Sequence, residues 1–306
     1  MTRLLITGAS GLLGANLVLE LVERYEIIGV THSVRLLHPR LDSRQADLAA
    51  PGVARRLFQE VRPDVVVHCA AATDVEACER DPGLAHRLNA EMAEVVAQAA
   101  AETGARLLHL STDAVFDGEG GPYGEDHLPA PVNVYGKSKL AGEEAVRAAH
   151  PGALVVRTNF FGWNAKPKLN LAEWFLDRLR SGQGAPGFTD VYCSPMLVND
   201  LAGLLDALLR TDVRGVLHLP GRDCLSKYEF GCRLARAFGF REDLVVASDL
   251  SQAGFRAPRP RRTCLEGTKA RGILGIDLPS VDLGLRRLES LARTGNLQRL
   301  REMAAT

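Results

Sequence analysis

Two side chains of this sequence stand at a spacing that can move a proton: Tyr135 and Lys139, in Tyr135-Gly136-Lys137-Ser138-Lys139. Residues four apart on a helix share a face, so a phenol and an ammonium would point together into one cleft. An ammonium beside a phenol favours phenolate and is expected to lower the phenol pKa from about 10 toward working pH. Tyr135 then suits a general acid for a carbonyl oxygen that receives hydride. Thr112, just past the apolar run Leu107 to Ser111, adds a hydroxyl as a second hydrogen-bond donor to that oxygen. A lone Tyr-x-x-x-Lys is equally the mark of a surface helix pair, and a cofactor site elsewhere in the chain separates the two readings.

Such a site is written at the N-terminus. Thr7-Gly8-Ala9-Ser10-Gly11-Leu12-Leu13-Gly14 follows the apolar run Leu4 to Thr7 and opens an amphipathic stretch. Glycines there permit a tight turn, close approach of a pyrophosphate to a helix N-terminus, and close packing of helix on strand. The spacing predicts a dinucleotide, against the plainer alternative of an ordinary strand-to-helix turn. A site selective for NAD places a carboxylate about 20 residues on, at the end of the second strand. Here that strand ends Val30-Thr31-His32-Ser33, followed by Arg35. With no carboxylate to repel a 2′-phosphate, and His32 or Arg35 able to pair with one, NADP(H) is favoured and NAD(H) is the alternative, in which both side chains are simply solvated.

The elements that must carry these groups repeat one figure up to about Thr158: a short apolar run, a turn, an amphipathic helix. Candidate strands are Leu4 to Thr7, Ile27 to Thr31, Val65 to Cys69, Leu107 to Ser111 and Leu154 to Thr158, runs of the kind buried on both faces of a parallel sheet. Leu13, Leu17 and Leu21 form the stripe of the first helix; an alanine-rich helix is predicted from about Gly83 to Glu102. The fold class is therefore α/β, a doubly wound parallel sheet of Rossmann type, over residues 1–158 with a returning segment about 188–218. A smaller mixed α/β substrate-binding domain is expected from 159–187 and 219–306. It has a loop at Trp163 to Asn170, helices near Leu171 to Ser181 and after Asn199, a strand at Val216 to Leu219, and a helix opened by the capping box Ser226/Glu229. The stretch Arg256 to Arg262, with two prolines, reads as an extended loop.

Composition narrows the function. The 306 residues carry 37 basic and 37 acidic side chains for a net charge of +0, so no bulk field exists to hold a nucleic acid. No apolar run approaches a membrane span, and the N-terminus lacks the pattern of a secretory signal. A cytoplasmic protein is expected. Six scattered cysteines without a CxxC pair predict reduced, structural thiols, and eight histidines without paired spacing predict no metal site.

These pieces together resemble the extended short-chain dehydrogenase/reductases, and within them the dTDP-4-dehydrorhamnose reductases. The resemblance lies in residues 7–14, Asp47-Leu48, His68-Cys69-Ala70-Ala71-Ala72-Thr73, Ser111-Thr112-Asp113-Ala114-Val115-Phe116-Asp117-Gly118, Tyr135 to Lys139, Arg157-Thr158 and Arg259-Pro260. It implies that Gly8, Ser10, Gly11, Leu12, Leu13 and Gly14 wrap the pyrophosphate, that Asp47 and Leu48 meet the adenine, and that Ala70, Ala71 and Ala72 line the way to the nicotinamide. It makes Thr112, Tyr135 and Lys139 the catalytic set, with Tyr135 and Lys139 also on the cofactor, and Asn159 beside the carboxamide. Thr73, Val75, Thr112, Asp113, Ala114 and Phe160 fall where the sugar binds. The implied function is NAD(P)H-dependent reduction of a nucleotide-linked 4-keto-deoxysugar, by a chain that has a sugar-nucleotide partner and can form a homodimer. Two relatives of other classes share the fold: the non-catalytic, NADP-binding methionine adenosyltransferase β subunit, and the sugar-nucleotide epimerases. The family usually has tyrosine at Ala114 and commonly an aromatic at Ala72, so the sugar pocket is expected to be roomier. Lys166, Lys168 and the Arg256 to Arg262 stretch could clamp a pyrophosphate or form a solvated basic loop.

Overall fold

The computed structural model describes residues 1–304; residues 305 and 306, at the end of the expected second domain, lie outside them. Seven parallel strands form the central sheet. Six come from the N-terminal half: β1 (Arg3–Thr7), β2 (Glu26–Thr31), β3 (Leu41–Gln45), β4 (Val65–His68), β5 (Arg106–Thr112) and β6 (Leu154–Thr158). The seventh, Gly215–His218, returns from the second half and pairs with β6, so the spatial order is Gly215–His218, β6, β5, β4, β1, β2, β3. The order reverses between β1 and β4, where an open α/β sheet leaves a crevice at the strand C-termini.

The strands form because they are apolar on both faces: Leu4, Leu5, Ile6, Val66 and Val67 are fully buried. Helix α1 (Leu12–Leu21) covers one face with Leu13, Leu17 and Leu21, packed with the second-half helix Val198–Leu208. The other face is covered by α2 (Val53–Val61), α5 (Met92–Thr103) and α6 (Val134–Ala149). Strand β3, Leu-Asp-Ser-Arg-Gln, escapes a reading by apolar runs because it is an edge strand with polar residues outward.

The long alanine-rich helix runs unbroken from Pro82 to Thr103, after α3 (Val75–Arg80), but contains a π-turn at Arg87–Glu91 between α4 (Pro82–His86) and α5. The helices at Leu171–Arg180 and Lys227–Ala237 are present, the second opened by the Ser226/Glu229 capping box. Residues 256–262 form no helix. The cysteine expectation is corrected: Cys224 and Cys264 form a disulfide, Cα–Cα 5.6 Å, while Cys69, Cys78, Cys193 and Cys232 are free. Forty residues apart, the two half-cystines are brought together by the bridge of Tyr192 to Arg262 and the pairing of Cys193 with Leu225. Among the described residues no helix is long and apolar enough to cross a membrane, and no cluster of His, Cys, Asp or Glu could hold a metal ion.

Candidate active site

The glycine turn joins β1 to α1. Gly8 has φ +64°, and a Cβ there would lie 2.7 Å from the Ala70 nitrogen; at Gly14 it would lie 2.3 Å from the Gly8 carbonyl oxygen. Gly11 caps α1 without a side-chain hydrogen bond. The first-turn N–H groups are thus left to an anion, with the helix dipole favouring it. Backbone donors without intruding side chains fit the pyrophosphate of a dinucleotide. Ser10 and Leu13 are buried and Leu12 half-buried in this turn. At the end of β2, His32 and Arg35 are exposed, and Gln45 donates to the His32 carbonyl at 3.1 Å. Asp47 is exposed and accepts from the Ala49 N–H, while Leu48 is buried beside it. Ala70, Ala71 and Ala72 run half-buried from the end of β4.

Helix α6 brings the catalytic candidates together. Asn133 caps it by accepting from the Gly136 N–H at 2.8 Å. Gly136 lets it approach the turn Asp113–Val115, since a Cβ there would lie 2.2 Å from the Ala114 oxygen. Tyr135 lies near enough to Thr112 for that hydroxyl to bear on its pKa, and Lys139, 3% exposed, donates to the Leu110 carbonyl at 2.7 Å. Two expectations are corrected. Burial outweighs the hydrogen bond from Thr112 and pushes Tyr135 up to about 12, and no effect of Lys139 on it is resolved; Tyr135 therefore stays a protonated phenol. The Thr112 hydroxyl, moreover, is directed at Asp113 Oδ1, 3.1 Å away. Burial lowers Lys139 to about 8, with Glu143 and Cys69 opposing.

Asn89 is a member of this site that sequence reasoning missed. From the π-turn it accepts from the Ala72 N–H at 2.8 Å, donates to the Ala72 carbonyl at 2.9 Å, and reaches Ser138 Oγ at 2.9 Å. One side chain thus ties the alanine wall to helix α6. A buried asparagine on an alanine-rich helix was the available signal. Behind Lys139, His68 and His109 stack at 5.2 Å between ring centroids, and His68 Nδ1 meets Thr7 Oγ1 at 2.7 Å. Beneath α6, Glu143 pairs with Arg157.

On the sugar side Thr73 is exposed, Val75 opens α3, and Ala114 and Phe160 are half-buried. Asp113, 4% exposed, collects donors from Thr263 Oγ1 at 2.7 Å and Asn159 Nδ2 at 2.9 Å. The Asn159 side chain thus spends one N–H on Asp113. Arg259 and Arg261 pair with Glu76 and Asp190, each at 2.9 Å, and Arg262 lies over Tyr192; the basic stretch is largely paired rather than free. Lys227, missed in the sequence, faces Asp113, Cys193 and Arg259, and burial lowers its pKa.

Comparison with known proteins agrees with this geometry. The family model described as RmlD substrate binding domain matches residues 1–292. A relative named probable low-salt glycan biosynthesis reductase Agl14, from Haloferax volcanii, is 33% identical over 93% of this chain and 96% of its own. The dTDP-4-dehydrorhamnose reductase of Mycobacterium tuberculosis is 38% identical over 85% and 82%, and methionine adenosyltransferase 2 subunit beta of Danio rerio is 32% identical over 91% and 86%. The crystal structure of dTDP-4-dehydrorhamnose reductase from Bacillus anthracis in complex with NADP superposes with a TM-score of 0.85 at 31% identity, covering 94% of this chain and 99% of that one. Glycine turn, alanine wall and Tyr135/Lys139 helix thus stand in a chain that belongs to the RmlD substrate binding domain family of extended short-chain dehydrogenase/reductases.

Proposed function

We propose that this protein is an NAD(P)H-dependent reductase of a nucleotide-linked 4-keto-deoxysugar. The observation that carries the reading is the convergence of Tyr135 and Lys139 of α6 on the C-terminal end of β5 at Thr112, two strands from the glycine turn that ends β1. A reduced nicotinamide dinucleotide, when bound, supplies hydride. The chain supplies the rest. The turn at Gly8 to Gly14 holds the pyrophosphate, the wall Ala70 to Ala72 lines the cofactor's path, and Lys139 holds the ribose. Tyr135, a neutral phenol at working pH, gives its proton to the oxygen of the keto carbon. Thr73, Val75, Ala114 and Phe160 border the sugar, in a substrate-binding part formed by 159–187 and 219–306. NADP(H) is the favoured cofactor because His32 and Arg35, and no carboxylate, end β2. A cytoplasmic location and a homodimer belong to this proposal; sedimentation velocity reads the second.

The test is hydride consumption over a panel of 4-keto-6-deoxysugar nucleotides. Tyr135→Phe should lower kcat by about 10² to 10⁴ and leave dinucleotide affinity within a few-fold; activity close to the parent's would remove Tyr135 from the assignment. The similarity to methionine adenosyltransferase β subunits supports one rival, a regulatory NADP-binding protein, which binds dinucleotide without turnover of any sugar nucleotide in the panel.

A further inference from the structure

The disulfide Cys224–Cys264 has one end in solvent and the other behind the site. Cys224 is exposed and stands directly before Leu225–Ser226 and the helix Lys227–Ala237, whereas Cys264 is 1% exposed. The segment around Cys264 supports the sugar side. Thr263 Oγ1 donates to Asp113 Oδ2 at 2.7 Å, and the Thr263 N–H donates to the Tyr192 carbonyl at 3.0 Å. The Cys264 carbonyl accepts from the Tyr123 N–H at 2.8 Å, and Leu265 packs in one apolar cluster with Val115 and Phe116. Residues 263–265 thus back the turn Asp113–Val115, whose middle residue is Ala114. The disulfide ties this backing to the start of a helix from 40 residues earlier in the chain. The glycine turn, between β1 and α1, has no part in these contacts.

We propose that Cys224–Cys264 is a thiol–disulfide exchange site for a small-molecule thiol, and that its oxidation state sets how firmly the sugar side of the cleft is held. The effect on the sugar rests on the reductase reading. Exposed disulfides are the labile ones, whereas buried structural ones resist small thiols. A thiolate attacks Cys224 Sγ, the sulfur at the exposed end. The S–S bond breaks and its electron pair leaves on Cys264 Sγ, which takes a proton because burial disfavours a thiolate. A second thiolate attacks the outer sulfur of the mixed disulfide, and Cys224 leaves with that electron pair and a proton. Two small thiols have become one small disulfide, and the protein has gained two electrons and two protons. A small disulfide reverses both steps. In the open form residues 263–265 keep their hydrogen bonds but lose the covalent link, and with it a restriction on their freedom. Thr263 then holds Asp113 less firmly, and the turn that carries Ala114 loosens with it.

Denatured and alkylated, the oxidised chain should take up four labels and the reduced chain six, read by intact mass. Folded protein incubated with excess reduced glutathione should pass from four to six, and glutathione disulfide should return it to four. A bond that stays closed in the folded protein would overturn the exchange site. Amide hydrogen exchange, which needs no substrate, reads the support. The N–H groups of Thr263 and Glu266, bonded to the Tyr192 and Tyr123 carbonyls, should exchange at least about tenfold faster in the reduced form. With turnover, KM for the sugar nucleotide should rise about three- to tenfold on reduction, while kcat and dinucleotide affinity hold. Cys224→Ser, at the exposed end, should match the reduced form and ignore glutathione; a response in this variant would place the effect elsewhere and overturn the assignment. Unchanged amide exchange would overturn the bracing role, and an unchanged KM would overturn its link to the sugar side. Faster amide exchange in a protein that turns over no sugar nucleotide would uphold the switch and defeat the reductase reading alone.

Discussion

Arg157 of β6 and Glu143 of α6 meet in a two-pronged ion pair, with Nη2 2.6 Å from Oε2 and Nε 2.9 Å from Oε1. Both residues are at most 4% exposed, and Ser111 Oγ also donates to Glu143. Removing one partner leaves a buried charge without compensation, which typically costs about 3 to 5 kcal/mol. Glu143→Gln should therefore lower the denaturant midpoint substantially. It should also depress Lys139 further, because Glu143 raises its pKa. A loss of stability below about 1 kcal/mol would show that Arg157 finds another partner.

Acid should weaken the fold before the carboxylates titrate. Burial first, and Lys139 second, lower His68 to about 3 and hold His109 well below its ordinary value; burial and Arg157 lower His218 to about 4. In the unfolded chain these imidazoles take protons from about pH 6.5. Between that pH and the folded values the unfolded state binds more protons, so stability falls as pH falls, by up to about 1.4 kcal/mol per pH unit for each histidine. Urea titrations at steps from pH 7.5 to pH 5, about this window, should show the decline, and His109→Leu should make it shallower. Stability that is flat over this range would contradict the assignment.

Cofactor choice should respond to His32→Asp. A carboxylate at this exposed strand end would repel a 2′-phosphate and accept from a 2′-hydroxyl. Paired dissociation constants should favour NADPH in the parent and move toward NADH in the variant. A parent that prefers NADH means that some other group holds the ribose.

Ala114→Tyr tests the sugar pocket. Ala114 is the middle of the tight turn that Gly136 packs against, so a ring there must extend toward the cleft. Refilling a site that accommodates a different ketosugar costs roughly 1 to 3 kcal/mol, about 5- to 150-fold in kcat/KM, while use of dTDP-4-dehydrorhamnose should improve. If the unmodified protein already uses that sugar best and Ala114→Tyr is neutral, the alanine does not mark altered specificity.

What could be seen in the residues alone was local. Tyr135 and Lys139 are one helical turn apart, and the glycine turn is a run of eight residues, so spacing was enough to place both. The strands on which they depend are apolar throughout and equally plain. What escaped depends on contacts between distant segments. Cys224 meets Cys264 only after two short pairings bring residues 192, 225 and 262 together. Thr112 turns to Asp113, and Asn159 with it, because the carboxylate is buried among donors from three segments. The high pKa of Tyr135 comes from burial, and spacing carries no measure of burial.

The π-turn at Arg87–Glu91 sets a limit of another kind. It holds one residue more than a regular α-helix would need, and its Asn89 carbonyl comes so near α6 that a Cβ at Gly142 would be 2.1 Å away. Deleting any one residue of the five would let the helix continue regularly with its flanks in place, and would remove the widened turn that carries Asn89 toward Ala72 and α6. Asn89 would then lose Ala72 and Ser138 although every residue named in the active site remained. The number of residues in this segment is therefore a constraint apart from their identities, and substitutions at its exposed positions Arg87 and Glu91 should be tolerated where single-residue deletions are not.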